Sequence, residues 1–116
     1  MALTSQREGT SRESQIDRLL HIAAVEWLTL PEKLREFHEW EDLEQMDFML
    51  EWDLTERRMR ELLEFARGGE MNSDQFGLML IVADRASTLM PSVVELFAEY
   101  DMVGEFLHSD ELSLSA

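Results

Sequence analysis

The sequence predicts an all-α fold, a compact bundle of about five short helices, and three observations carry that prediction. Apolar residues recur at three- and four-residue spacing in every segment, never in strict alternation. β-branched residues are sparse, which removes the usual material of strands. The stretches between periodic segments run to about two to six residues, the connection length of antiparallel neighbours in a bundle.

The first element follows a polar segment, residues 1–13, expected to be flexible. Ser14 and Asp17 resemble a capping box, with acids in the first turn where the helix dipole favours them. Ile16, Leu19, Leu20, Ala23, Ala24, Trp27 and Leu28 then mark one apolar stripe. The run "TLPE" is expected to close this helix and open the next. Thr29 can cap, Pro31 suits a first turn because its missing N–H would be unpaired there, and Glu32 completes the signal.

The second helix holds two tryptophans inside the most acidic stretch of the chain, "EWEDLEQMDFMLEWDL", residues 39–54, with seven acids and no base. Projected at about 100° per residue, Leu34, Phe37 and Trp40 share one face, and Phe48 and Trp52 return to it. Leu43, Met46, Leu50 and Leu54 share a face centred roughly 150° away. Either the helix breaks near Glu41 and Asp42, with Asp42 capping and Gln45 at the third helical position, or it runs straight over residues 31–53 and is apolar on two sides. The absence of Gly and Pro favours the straight helix. Its Trp40, Phe48 and Trp52 face is then the one expected to be left for a partner.

Asp53, with Glu56 three residues on, caps a third helix carrying Met59, Leu62, Leu63 and Ala66, and Gly68 and Gly69 end it. Asn72 caps a fourth, with Gln75 as its box partner. Its run "FGLMLIVADRASTLM" is apolar nearly all round before Asp84, which makes residues 74–89 the expected central buried helix. Pro91 opens a fifth, with Val94, Phe97, Val103 and Phe106 as its apolar face. The single helical domain spans 14–108, and residues 109–116 form a flexible acidic tail.

Composition then limits function. There is no cysteine, so disulfides, thiolate metal sites and cysteine catalysis are excluded. The opening "MALTSQREGTSRES" lacks the apolar run of a secretory leader. The longest apolar run, residues 78–83, is far shorter than a bilayer needs. A cytoplasmic protein without membrane contact is expected. The net charge of −15, from 25 acids against 10 bases, repels phosphate backbones, so direct nucleic-acid binding is not expected and a basic partner is.

The residues that could carry chemistry do not assemble a site on paper. Glu105 and His108 match the Glu-x-x-His half of a carboxylate-bridged metal site once, where such a site needs the motif twice plus two further carboxylates. Asp17 and Glu36 stand at the wrong spacing from His21 and His38. His38 beside Glu41 and Asp42 reads as a solvated cluster, and Asp84 with Arg85 marks either where a buried face turns to solvent or a satisfied internal ion pair. There is no nucleophile elbow, P-loop or phosphate-binding glycine loop. Neither catalysis nor a cofactor is expected.

What remains is an excess of large rings and acids. The expectation is a small acidic non-enzymatic helical protein acting by protein–protein interaction, as a regulator, adaptor or inhibitor of the immunity type. Its interface candidates are Phe37, Trp40, Phe48 and Trp52 with Glu41, Asp42, Glu44, Asp47 and Glu51. The partner is another protein with a basic surface, or a second copy in a symmetric homodimer. Two alternatives stand behind it: an acidic mimic of nucleic acid that inhibits a DNA- or RNA-binding protein, and a carboxylate-ligated metalloprotein. The 39–54 stretch also has the composition of a disordered acidic-aromatic activation segment, although caps and core helices surround it.

Overall fold

The computed structural model describes the backbone of residues 2–99 and 109–114, and the side chains of 12–99 and 111–114. Apart from short connections the described residues are helical, and no strand occurs among them. Three long helices, α1 (Ala2–Glu36), α2 (Asp42–Arg67) and α3 (Ser73–Glu99), are accompanied by a 3₁₀ turn at Phe37–Glu39 and a one-turn α4 at Ser109–Leu112. The expected five short helices are thus three long ones, because three expected helix starts, at "TLPE", Asp53 and Pro91, lie inside helices, while the chain breaks instead at residues 37–41.

The first is "TLPE". Helix α1 runs through it, with Pro31 in its interior. Thr29 does not cap; its Oγ1 donates back to the Val25 carbonyl at 2.7 Å. An interior proline costs about 3 kcal/mol in helix propensity. That cost is offset by what continuing the helix brings inward, since Leu30 and Phe37 are both buried. The core stripe Ile16, Leu20, Ala23, Trp27 and Leu30 steps by four and three residues along one face of α1. The segment expected to be loose at the N-terminus is also helical from Ala2, and Ser14 lies inside it rather than at a cap.

The chain does break between Phe37 and Asp42, so the straight helix over 31–53 is not formed. Trp40 and Glu41 are both extended (ψ 153° and 158°), and Glu41 rather than Asp42 is the N-cap, without a side-chain cap bond. Gln45 fastens the corner by donating from Nε2 to the Phe37 carbonyl at 2.8 Å. Asp42 and Glu44 then lie in the first turn of α2, where the dipole favours them.

Asp53 is the second misplaced cap. It sits mid-helix and pairs with Arg57 at 2.8 Å, one turn on. Helix α2 therefore continues to Arg67, burying Met59, Leu62, Leu63 and Ala66. It ends where expected. Gly69 has φ +71°, Gly69 N–H donates to the Ala66 carbonyl at 3.2 Å, and Glu70 N–H donates to the Phe65 carbonyl at 3.0 Å. These are the paired bonds of a Schellman end, which need a residue free to adopt positive φ. The capping box at the start of α3 also forms: Gln75 N–H donates to Asn72 Oδ1 at 2.8 Å, and Asn72 N–H donates to Gln75 Oε1 at 3.0 Å.

Helix α3 is not the all-round buried element that its apolar run suggests. Met79, Val82, Ala83, Ala86, Met90, Val93 and Phe97 form one inward face, while Leu78, Leu80, Ile81 and Val94 remain exposed. Pro91 lies inside α3 and opens no separate helix. By length and composition α3 could cross a bilayer, a test that the core helix of a soluble bundle also meets. All three long helices touch one another, and α1 makes the most extensive contact with its two neighbours. Gln75 of α3 ties into it, donating from Nε2 to Asp17 Oδ1 at 2.7 Å and to the Glu13 carbonyl at 3.2 Å.

The C-terminal segment expected to be flexible is docked over its described part. Leu112 of α4 is buried against α3, and Arg67 donates to the Glu111 carbonyl. Val103, Phe106 and the Glu105/His108 pair lie outside the described residues.

Candidate partner interface

The break before α2 decides which side of the acidic stretch faces inward. Folding the chain back at residues 37–41 brings Phe37 and Trp40 over the start of α2. There they meet Phe48, at ring-centroid distances of 5.7 and 5.8 Å. Phe48 continues to Trp52 at 6.0 Å, and Trp52 packs edge-on to Trp27 of α1 at 5.3 Å and to Phe97 of α3 at 6.1 Å. Six rings from all three long helices and the corner therefore form one aromatic core at this end of the bundle. Edge-to-face pairs of this kind add about 0.5–1.5 kcal/mol each beyond area burial.

The nine expected interface residues divide accordingly. Phe37 and Trp52 are buried at 0% and 5% exposure, so neither belongs to a free surface. Trp40 and Phe48 are half-buried against the core. The five acids, Glu41, Asp42, Glu44, Asp47 and Glu51, are all exposed. The face assigned to a partner is thus the inner one, and the outer one is the set that shared the opposite projection. Leu43, Met46, Leu50 and Leu54 are 72%, 54%, 63% and 46% exposed. The periodicity had separated these two sets. Ring area would have ranked them, because each aromatic side chain removes roughly 150–250 Å² from water on burial.

Other exposed apolar residues do not line up in the same way. At about 100° per residue the four on α2 fall within roughly 80° of arc, a continuous stripe of three turns. Ile22, Val25 and Leu28 on α1 fan across about 120°, and the four on α3 spread over about 200°. Among the described residues a row forms only on α2, and acids border it on both sides. Asp42 and Asp53 flank one edge; Glu44, Asp47 and Glu51 flank the other. All five are exposed.

Beside the stripe, between α1 and α2, lies a cleft lined in part by Leu30, Lys33, Glu51 and Leu54. Its floor is already paired. Arg58 donates to Glu26 through Nη2 at 2.5 Å and Nε at 3.1 Å, and Thr55 Oγ1 donates to the same carboxylate at 2.8 Å. The hydrogen bond to Glu26 raises the Arg58 pKa above its ordinary value, against the lowering effect of burial. This is a clamp between helices, with no nucleophile and base set against each other. His38 is exposed and stacks edge-on to Phe37, and Asp84 and Arg85 are both exposed. Among the described residues no group of three or more His, Asp or Glu side chains is placed to hold one metal ion.

Comparison with protein families, characterised proteins and solved structures finds no match for the chain.

Proposed function

We propose that this chain is a non-enzymatic helical interaction protein, of regulator, adaptor or inhibitor type, which binds another protein of basic surface in the cytoplasm through the outer face of α2. One observation carries the reading: Leu43, Met46, Leu50 and Leu54 form an exposed apolar row inside a border of exposed carboxylates. Apolar side chains left in water at helical spacing are costly in solubility and useful for association. A border of one charge sign selects the partner and speeds encounter.

A second reading, the acidic mimic of nucleic acid, draws on a related observation. The seven acids of residues 39–53 are all exposed, and no base stands among them. A mimic works through carboxylates alone, whereas here an apolar row runs between them. That favours the first reading.

The test is capture of partners from a native lysate with the wild-type chain and with the doubly substituted Leu43→Glu, Leu50→Glu chain, each at low and high salt. The proposal expects a partner that is lost on substitution and weakened by salt, since exposed charges are screened as ionic strength rises. A mimic would keep its partner after substitution and lose it in salt. A partner indifferent to both would refute either reading.

A further inference from the structure

The outer face of α2 also specifies the shape of what it binds. We infer that its occupant is an amphipathic helix with lysine or arginine on both edges of its apolar row. This rests on the reading of that face as an interface and adds the chemistry of the partner to it.

The spacing is the first argument. Leu43, Met46, Leu50 and Leu54 step by three, four and four residues, so their side chains form a ridge about 16 Å long on a straight helix. A ridge of this period fits the groove between ridges of another helix at a shallow crossing angle, the packing used in bundles and coiled coils. An extended segment has nothing to pair with here. The described residues contain no strand edge, and the backbone of α2 bonds within its own helix. A proline-rich segment would need an aromatic groove, and the rings near α2 face the core.

Charge is the second argument, and it decides between partners. The acids stand on both edges of the ridge: Asp42 and Asp53 along one, Glu44, Asp47 and Glu51 along the other. A second copy of the chain docked by the same face would set carboxylates against carboxylates on both sides, in a chain already at net charge −15. A helix with basic residues flanking its apolar row meets complementary charge along both edges. Met46 on the ridge, an unbranched side chain, suits a surface that must adapt to a partner's contour. With only four anchors the binding is expected to be micromolar and salt-dependent.

The experiment uses three synthetic peptides of about fourteen residues, four helical turns. One carries leucines at three- and four-residue spacing with lysines elsewhere; a second has the same leucines with glutamates; a third has the first peptide's composition with the leucine spacing scrambled. Each is titrated into the isotope-labelled full chain and followed by amide shifts and by peptide helicity. The expected result is that the first peptide becomes helical and perturbs residues 42–54. Leu50→Glu should then weaken it at least tenfold without changing the thermal midpoint. Raising salt from about 50 to about 500 mM should weaken it by a similar factor. Equal binding of the scrambled peptide would overturn the helix inference while leaving a basic partner in place. Sedimentation showing a dimer that Leu50→Glu dissociates would also overturn it, in favour of a second copy. No binding of the first peptide, together with a lysate partner still lost in the substituted chain, would overturn the helix inference but not the interface. No binding together with a lysate partner unaffected by substitution would overturn both.

Discussion

The indole Nε1 of Trp52 donates to Glu56 Oε1 at 2.7 Å, one turn along α2, with both side chains buried. Of the acids in and just after the aromatic stretch, this one goes inward with the rings. The indole and the Arg60 guanidinium, 3.7 Å from the same carboxylate, make its burial tolerable. The other acids that surround the tryptophans in sequence are exposed. An acidic helix can therefore carry the aromatic core of this bundle.

That pair should behave as a unit. Trp52→Phe is expected to lower the unfolding free energy by about 2–3 kcal/mol, from lost packing and from a buried carboxylate short of one donor. Adding Glu56→Leu should then cost less than it does in the wild type. Denaturant unfolding of both single variants and the double should give a coupling above about 1 kcal/mol. Additive losses would contradict the geometry.

The Glu26/Arg58 clamp joins α1 to α2 with both side chains mostly shielded. Glu26→Gln is expected to destabilise by about 1–2 kcal/mol, and Arg58→Lys, which keeps the charge but not the two-pronged contact, by less. Because the folded-state pKa of Arg58 is raised, its stabilisation is fully present at every pH below its unfolded value. Unfolding curves at about pH 7 and about pH 9 should therefore show the same loss for Arg58→Met, whose side chain does not titrate. A loss that changes between those values would contradict this account.

The turn between α2 and α3 offers a local check. Asn72→Ala should cost about 1 kcal/mol as a lost cap. Gly69→Ala should cost about as much, because φ is +71° there and open space around the position leaves backbone conformation as the sole objection. Thermal unfolding of both variants measures this. Gly69→Ala raising the midpoint would mean that the Schellman end is not formed.

Substitutions on the two faces of α2 should differ sharply. Leu50→Glu is expected to stay within about 0.5 kcal/mol of the wild type, and Trp52→Ala to lose about 3–5 kcal/mol. Comparable losses at both positions would mean that the outer row is packed.

These contrasts also mark what could be read in the sequence. The Asn72/Gln75 box and the glycine end at residues 68–69 were legible because each is completed by a few neighbouring atoms. Pro31 and Asp53 were not, since the same residues serve at a cap and inside a helix, and only burial of Leu30 and Phe37 or the Arg57 contact decides between them. The two faces of α2 were visible as a phase difference. Which of them is inside was not, because that depends on the corner at residues 37–41, where Gln45 reaches the Phe37 carbonyl across eight residues. The acids of the stretch stay exposed as their charge implies, whereas the rings expected to be left for a partner lie in or against the core.

The most direct test of the outer face of α2 as the interface is site-specific photocrosslinking in the native host. A photoreactive benzoylphenylalanine is placed at position 50 in one strain and at position 81 in another. Leu50 and Ile81 are both 63% exposed, so accessibility alone cannot distinguish them. The account predicts a discrete crosslinked adduct of a second protein from position 50 and none from position 81. An adduct from position 81 with none from position 50 would contradict it.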